Sequence, residues 1–456
     1  MTAPQRIAVV GAGIAGLSAA YWLNRKGFEV QVFERSDRTG GVIRSERSDG
    51  FLVDYGPNST LETSETLSEL VRALGLEGQK VYGREAANNR YIVRDGALQA
   101  LPTSPGAFLT TGLFSWKAKL RLLAEPFVRR SPGDDISLAD FVRRRLGREF
   151  LDYAINPFVA GVYAGDPEQL STAAGFPKLY ALEQNYGSLI KGTVQGARER
   201  RKRKEVAKNR ARLFSFRDGM QVFTDALAEA LGANALRLGY EVTRLRRENG
   251  SFFLHSRQDG PARVDRFDRV ILTVPAYALP GLLRELAPDQ TAPLEAVHYP
   301  PVSLVYLGFK AEAVERELDG FGFLVPEVEQ RQILGTLWSS SIFPDRTPEG
   351  HVALTTFVGG TRQPENARLP EEDIKALVLE ELRDLCGVSG PPVFSRFMRW
   401  ERAIPQYRVG YKKVQAVFDQ LETEHPGLYF AGNYRRGISV GDSVLSAHET
   451  VEKVGN

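Results

Sequence analysis

The sequence predicts a mixed α/β and α+β architecture: a Rossmann-like nucleotide-binding domain with a β-sheet domain and a mostly helical domain inserted into it. Three observations carry this expectation. Residues 6–35 read strand, glycine turn, helix, strand, one βαβ unit of about 30 residues. The C-terminal part reads strand then helix, Leu428–Ala431 followed by Val440–Lys453. Between them, residues 105–200 carry helical periodicity and residues 302–358 carry apolar runs of strand length. A chain of 456 residues, 43% apolar and 25% charged, excludes a disordered chain, a collagen-like fibre and a small disulfide scaffold.

Taken in order, Arg6–Val10 is a short buried-strand pattern, Gly11–Gly13 a turn, Ile14–Lys26 a helix broken by Gly27, and Glu29–Phe33 a second strand. The uncharged run Ile7–Leu23 raises a signal peptide. Its three glycines, where a secretory helix wants leucine, and its 17 residues argue against one. A cytoplasmic protein is expected, with no membrane span. An amphipathic helix follows near Leu61–Leu74, ended by Gly75, and strand-like pieces lie near Tyr91–Val93. Leu113, Phe114, Trp116, Leu120, Leu123 and Phe127 recur at three/four spacing among Lys117, Lys119, Arg121, Arg129 and Arg130. Pro126 should bend or end that helix. The favoured reading is a surface helix packing its apolar face on the core; a basic helix lying on a membrane is the second. Leu213–Met220 reads as strand and turn, Gln221–Leu231 as helix, and residues 237–275 alternate in β fashion. Strands VSLVYLGF, GFGFLVP and HVALTTFV precede a helix at Glu371–Leu385.

The net charge of +3 comes from one segment. Arg198–Arg212 holds nine Lys/Arg and two Glu, which leaves the rest of the chain at −4. It lacks interleaved aromatics, so no nucleic acid is expected as partner. It reads as a solvated face, or as a contact with an anionic membrane. The single cysteine, Cys386, excludes an intramolecular disulfide. No Cys/His cluster has metal-ligand spacing, and no metal is expected.

Gly11-Ala12-Gly13-Ile14-Ala15-Gly16 is a G-x-G-x-x-G between strand and helix, with Glu34 eighteen residues after Gly16. The first glycine makes the turn, the second lets a pyrophosphate approach the backbone, and the third lets the helix pack on the strand. The helix N-terminus faces the anion. Glu34 can accept from a ribose 2′-OH, which disfavours NADP. Gly40-Gly41-Val42-Ile43-Arg44 then resembles the second signature of the glutathione-reductase/amine-oxidase class of FAD proteins. Its role there would be close passage along the diphosphate, with positive charge from Arg44.

Further fragments point the same way. They are Asp54-Tyr55-Gly56-Pro57-Asn58-Ser59, Gly161-Val162-Tyr163-Ala164-Gly165-Asp166-Pro167, Gly320–Pro326, Leu334–Ser340, Ile404-Pro405-Gln406-Tyr407 and Gly432-Asn433-Tyr434 with Gly437. Together they resemble the oxygen-dependent protoporphyrinogen oxidase family, including its bacterial coproporphyrinogen-oxidising branch, from about residue 5 to 450. The resemblance implies FAD-binding parts at 1–84, 201–280 and 399–456. It also implies a helical domain at 85–200 that touches membrane in some members, and a substrate-binding β-sheet domain at 281–398. The implied reaction is six-electron oxidation of a porphyrinogen to a porphyrin in haem biosynthesis, with O₂ reoxidising the flavin.

Residue by residue, the resemblance implies that Gly11–Gly16, Glu34, Arg35, Gly41, Val42 and Arg44 line the adenosine and diphosphate. Gly56, Pro57, Asn58 and Ser59 would pass near the isoalloxazine. Val242 would contact adenine, Trp400 would stand beside the flavin, and Ile438, Ser439 and Val440 would close over it. Arg90 would pair a propionate. Leu324, Leu337 and Phe357 would sandwich the macrocycle, although from sequence alone each reads as core. Gly161 would offer its carbonyl to pyrrole N–H groups, and Asn58 would sit near the reacting carbon. No acid–base pair is evident. The lysine of amine-oxidising relatives falls at Ser303, and Cys386 lies far from the Gly432–Asn433 motif, so the FAD should be non-covalent. Two other readings compete: a flavin oxidase or desaturase acting on amines or carotenoids, and a non-enzymatic binding protein resembling the Rab GDP-dissociation inhibitors. Glu34 with the complete glycine fingerprint disfavours the latter. Expected partners are a tetrapyrrole, O₂ and an anionic membrane surface, for a monomer or homodimer.

Overall fold

A five-stranded parallel sheet collects its strands from three separated parts of the sequence. Across the sheet they run Leu236–Leu238, Glu29–Glu34, Arg6–Val10, Arg269–Leu272 and Leu428–Phe430. The structure is a computed structural model, and it describes residues 4–131, 133, 135–202, 211–258 and 260–455. The central strand is apolar after Arg6 because both of its faces are covered. Ile7 and Val9 pack on helices Ile14–Arg25, Gln221–Leu231 and Val440–Gly455. Ala8 and Val10 pack on Leu245, Phe252, Leu254 and Phe267 of a three-stranded antiparallel sheet. The basic run falls largely at 203–210, outside the described residues.

A second sheet of seven strands has the order Phe394–Trp400, Val302–Lys310, His351–Gly359, Gly335–Leu337, Gly322–Leu324, Tyr91–Arg94, Ala97–Ala100. Neighbours are antiparallel except Gly322–Leu324 and Tyr91–Arg94. The hairpin Tyr91–Ala100 begins where the sequence reads as strand, near Tyr91–Val93, inside the 85–200 stretch assigned to the mostly helical domain. Its Tyr91 and Val93 join Val305, Phe323 and Trp338 in the sheet's core, and the helices begin at Pro105. Helix Glu371–Cys386 covers the same face through Ile374, Val378 and Leu382.

The helical block packs around Phe114, Phe141, Phe150 and Leu151. Within it Arg145 is fully buried between two carboxylates, donating from Nη1 to Glu125 at 2.9 Å and from Nε to Glu183 at 2.7 Å. The apolar stripe does not pack as expected. Leu113 and Phe114 are buried, but Trp116, Leu120, Leu123 and Phe127 are 67%, 64%, 69% and 85% exposed. The buried positions of helix Trp116–Leu123 are instead Ala118 and Lys119. Lys119 sinks its stem and donates from Nζ to the Leu109 and Thr111 carbonyls at 2.9 and 2.8 Å. The helix stops ahead of Pro126, which sits in a short 3₁₀ turn.

Candidate functional site

The glycine loop after Arg6–Val10 is shaped by contacts that only a hydrogen fits. A Cβ on Gly16 would overlap the Gly11 carbonyl oxygen and lie 2.7 Å from Thr273 Oγ1, because the helix rests directly on the strand end. Gly11 has φ +107° and donates its N–H to Phe33 O at 2.8 Å. At Gly13 a Cβ would meet nothing within 4 Å. That open space lies at the start of helix Ile14–Arg25, which has no side-chain cap. The first amides of this helix, from Ile14 and Ala15 onward, have no partner within the helix.

The double glycine folds back onto this loop. Gly40 N donates to Ala12 O at 2.8 Å, and a Cβ on Gly41 would stand 3.2 Å from Gly13 Cα. The two glycine signatures therefore form one wall. Val42 is left half exposed, and its carbonyl oxygen is where a Cβ on Gly56 would fall. That contact pins the Gly56-Pro57-Asn58-Ser59 loop against the second signature. Arg44 is exposed, with its guanidinium 5.1 Å from the Tyr55 ring centre. Trp400 donates from Nε1 to Tyr55 O at 2.9 Å, which places the indole beside the same loop.

Glu34 braces the loop as well as marking its end. Its carboxylate accepts from Ala12 N and Ser36 N, each at 2.9 Å, and each oxygen keeps a second lone pair for a hydroxyl donor. Arg35 beside it is exposed. Tyr240 N donates to Glu34 O at 2.8 Å, which brings Val242, at a β-bulge, to the same sheet end. Ile438 packs between two cores, and Val440 is buried under the parallel sheet. Ser439 Oγ accepts from Asp442 N at 3.0 Å and so caps the last helix.

Between the Gly56–Ser59 loop and the seven-stranded sheet lies a cavity of about 20 Å³. It gathers Asn58, Leu337 and Phe357, which are far apart in sequence. Leu324 sits on the neighbouring strand, opposite Gly335. A Cβ on Gly161 would overlap the Leu324 side chain, so the helix Asn156–Tyr163 touches the sheet there. Gly165 N turns to Val159 O, which leaves the Gly161 carbonyl among the unpaired carbonyls of the helix end. Arg90 precedes strand Tyr91–Arg94, which pairs with Phe323 and Leu324 on one side and with Ala97–Ala100 on the other. It is exposed, 5.2 Å from the Phe321 ring centre, and among the described residues no carboxylate lies within 4 Å of it.

Sequence reasoning passed over two residues of this cavity, Asp54 and Arg346. They form an ion pair at 3.1 Å, with side chains 7% and 3% exposed. Burial pushes the Asp54 carboxyl up, opposed by Arg346 and by hydrogen bonds from Ser45 and the Met220 amide. Burial likewise lowers Arg346, opposed mainly by Asp54. Asp54 stands inside the DYGPNS fragment, so its neighbours were a signal. Arg346, 292 residues away, had none. Ser303 is buried and donates to Ala367 O at 2.7 Å. Cys386 is buried under the seven-stranded sheet. Among the described residues, no group of three or more His, Cys, Asp or Glu could hold a metal.

Comparison with known proteins places this geometry. The profile of the family described as flavin containing amine oxidoreductase matches residues 14–455. The chain is 35% identical to protoporphyrinogen oxidase 2, chloroplastic/mitochondrial, of Arabidopsis thaliana, over 99% of this chain and 94% of that protein. It is 30% identical to coproporphyrinogen III oxidase of Bacillus subtilis, over 96% of each. A crystal structure assigned as a protoporphyrinogen oxidase from Exiguobacterium sp. 255-15 superposes with a TM-score of 0.83 at 27% identity, covering 100% of this chain and 99% of that one. Reduced UDP-galactopyranose mutase shares the fold alone, with a TM-score of 0.75 at 18% identity over 99% and 93%.

Proposed function

The chain belongs to the flavin-containing amine oxidoreductase family, and from that premise we propose that it oxidises a porphyrinogen, protoporphyrinogen IX or coproporphyrinogen III, to the porphyrin in haem biosynthesis. The observation that carries this reading is the abutment of two features. A glycine-walled opening at a helix N-terminus meets, at the Gly56–Ser59 loop, an apolar slot bordered by Leu337 and Phe357.

The residues present fit FAD. The space at Gly13, the uncapped helix amides and the spare lone pairs of Glu34 suit a diphosphate and a ribose. Gly11–Gly16 with Gly40–Gly41 would hold the diphosphate, Glu34 the ribose and Val242 the adenine. Gly56–Ser59, Trp400 and Ile438–Val440 would hold the ring end. Attachment is non-covalent, since Cys386 is packed beneath the other sheet. When bound, FAD supplies a two-electron hydride acceptor that O₂ regenerates with release of H₂O₂. Leu324, Leu337 and Phe357 would exclude water and stack on the macrocycle. The free Gly161 carbonyl would accept from pyrrole N–H groups, and unpaired Arg90 would take a propionate bidentately. Asn58 would face the reacting carbon. Anaerobic mixing with each porphyrinogen should bleach the flavin absorption with at least one of them. Bleaching by amines but by neither porphyrinogen would overturn the reading.

The exposed stripe supports a second part of the proposal, peripheral docking on an anionic bilayer. Trp116, Leu120, Leu123 and Phe127 stand in water, flanked by exposed Lys117, Arg129 and Arg130, with Lys191 Nζ 6.0 Å from the Phe127 ring centre. Among the described residues no helix is long and apolar enough to cross a membrane.

A further inference from the structure

Oxidation of a porphyrinogen removes hydrogen as hydrides and as protons in equal number. Each round therefore delivers one proton, from a pyrrole nitrogen or a meso carbon, into a site that Leu337 and Phe357 keep apolar. Of the described residues lining the cavity beside Asn58, Asp54 is the sole carboxylate; the others offer hydroxyls, an amide, one guanidinium and apolar groups. We propose that Asp54 is the proton-accepting station of this reaction, reached through water held in the cavity by Ser339 and Thr355, with Arg346 as its fixed counter-charge. The proposal rests on the porphyrinogen reading above.

The geometry leaves Asp54 the capacity to accept. Oδ1 takes hydrogen bonds from Ser45 Oγ at 2.5 Å and Met220 N at 3.1 Å. Oδ2 takes one, from Arg346 Nη1 at 3.1 Å, and keeps a second lone pair. The cavity volume of about 20 Å³ suffices for one water. The Ser339 and Thr355 hydroxyls, 2.7 Å apart, give that water polar partners.

The charges around the pair are few. Arg346 faces Asp54 directly, the Tyr306 phenol lies close to both, and Arg47 and Asp218 act on Arg346 in opposite senses. Burial favours the neutral carboxyl and Arg346 favours the carboxylate. The two oppose each other, as a group that takes and returns a proton requires. Arg346 also lines an outer groove of about 670 Å³ with Arg84, Arg316, Asp345 and His351. The ion pair thus stands between the small cavity beside Asn58 and the outer groove.

In each round a meso C–H bond breaks and its hydrogen leaves with both electrons to the flavin. In two of the three rounds an N–H bond also breaks, and in the third a further meso C–H bond; each time the electron pair stays on the macrocycle. That proton passes through the cavity water to Asp54 Oδ2 and on to water in the groove. O₂ takes up the two electrons and two protons as H₂O₂, so the balance closes.

Asp54→Asn should keep its flavin and lose about a hundredfold or more in the rate of anaerobic flavin bleaching. The wild-type rate should fall as pH drops and the carboxylate is protonated; the Asn variant should lack that limb. Infrared difference spectra of the holoenzyme mixed with one equivalent of porphyrinogen should show a protonated carboxyl, absent from Asp54→Asn. Because Asp54 also ties Ser45 and Met220, Thr355→Val gives an arm that leaves the tie intact. It should slow bleaching about tenfold and enlarge the solvent deuterium effect, with unchanged melting temperature. A folded Asp54→Asn with the wild-type rate and pH profile overturns the proposal. So does a Thr355→Val variant with the wild-type rate and isotope effect, which decides the matter if the Asn variant does not fold. If neither porphyrinogen bleaches the wild-type flavin, the functional reading itself has failed.

Discussion

Gly13, just before helix Ile14–Arg25, and Gly16, in its first turn, sit three residues apart, and the structure predicts opposite outcomes for the same substitution. A methyl on Gly16 runs into the Gly11 carbonyl oxygen, which is backbone and cannot rotate away. Gly16→Ala should cost about 1–3 kcal/mol or more as an overpacking change and lower the melting temperature of the apoprotein. A methyl on Gly13 meets no protein atom, and its φ of −74° suits alanine. Gly13→Ala should leave the apoprotein within about 0.5 kcal/mol of wild type and weaken FAD binding at least tenfold, read by flavin fluorescence on reconstitution. Normal FAD affinity in Gly13→Ala would remove the diphosphate from this space. Such residues were legible in the sequence because their constraint is local, a turn and a close approach. The slot residues were not. Leu324, Leu337 and Phe357 have the composition of core, and only their partial exposure in the folded chain separates a wall from a filling. Asp54 and Arg346 needed a contact across 292 residues that no spacing rule contains.

Secondary-structure elements that pack by periodicity were the most legible. Helix Gln221–Leu231 and the apolar runs of the seven-stranded sheet fall where their patterns put them. Periodicity shows which residues share a face but not which face is covered, and the Trp116–Leu123 helix turned out to hide Ala118 and Lys119. The helical block has a second feature that pattern reading misses, the buried Arg145 network. Burial alone would raise Glu125, yet the Ser188 hydroxyl, the Leu189 and Ile190 amides and Arg145 hold it below its ordinary value. Glu183 is likewise held down against burial by Ser131, Arg144 and Arg145. A carboxylate with a depressed folded pKa stabilises fully above its unfolded value and loses that contribution as pH falls through the folded one. The block should therefore loosen below about pH 4.5, the ordinary glutamate value. Hydrogen exchange across 138–202 should accelerate there before exchange in the parallel sheet does. Glu183→Gln, which strips one charge from a fully buried cation, should cost about 3–5 kcal/mol and produce that loosening at neutral pH. Uniform exchange across both regions as pH is lowered would assign the network no special part.

At the scale of the whole molecule, segments from both ends of the sequence lie in one parallel sheet, with Arg6–Val10 and Leu428–Phe430 flanking Arg269–Leu272. This arrangement leaves the helical block as an insertion free to present a face of its own. That face carries Trp116, Leu120, Leu123 and Phe127 in water, where a folding core gains nothing from them. Moving a large apolar side chain from water into the acyl boundary gains about 1.5–3 kcal/mol when it is fully buried. Partial burial of three such side chains should give roughly 3 kcal/mol, about a hundredfold in partitioning. Adjacent Lys117, Arg129 and Arg130 would add attraction to anionic headgroups that weakens as salt rises. Wild-type protein should therefore sediment with vesicles containing phosphatidylglycerol at low salt, less so at high salt, and little with neutral vesicles. Replacing Trp116, Leu123 and Phe127 together with Gln should abolish most of that binding. Flavin content, melting temperature and oxidation of detergent-free porphyrinogen should stay close to wild type, because these side chains support no core and touch no part of the cavity. Equal vesicle binding by the triple variant would move the membrane contact elsewhere. A fall in melting temperature would mean that these side chains bear on the core after all.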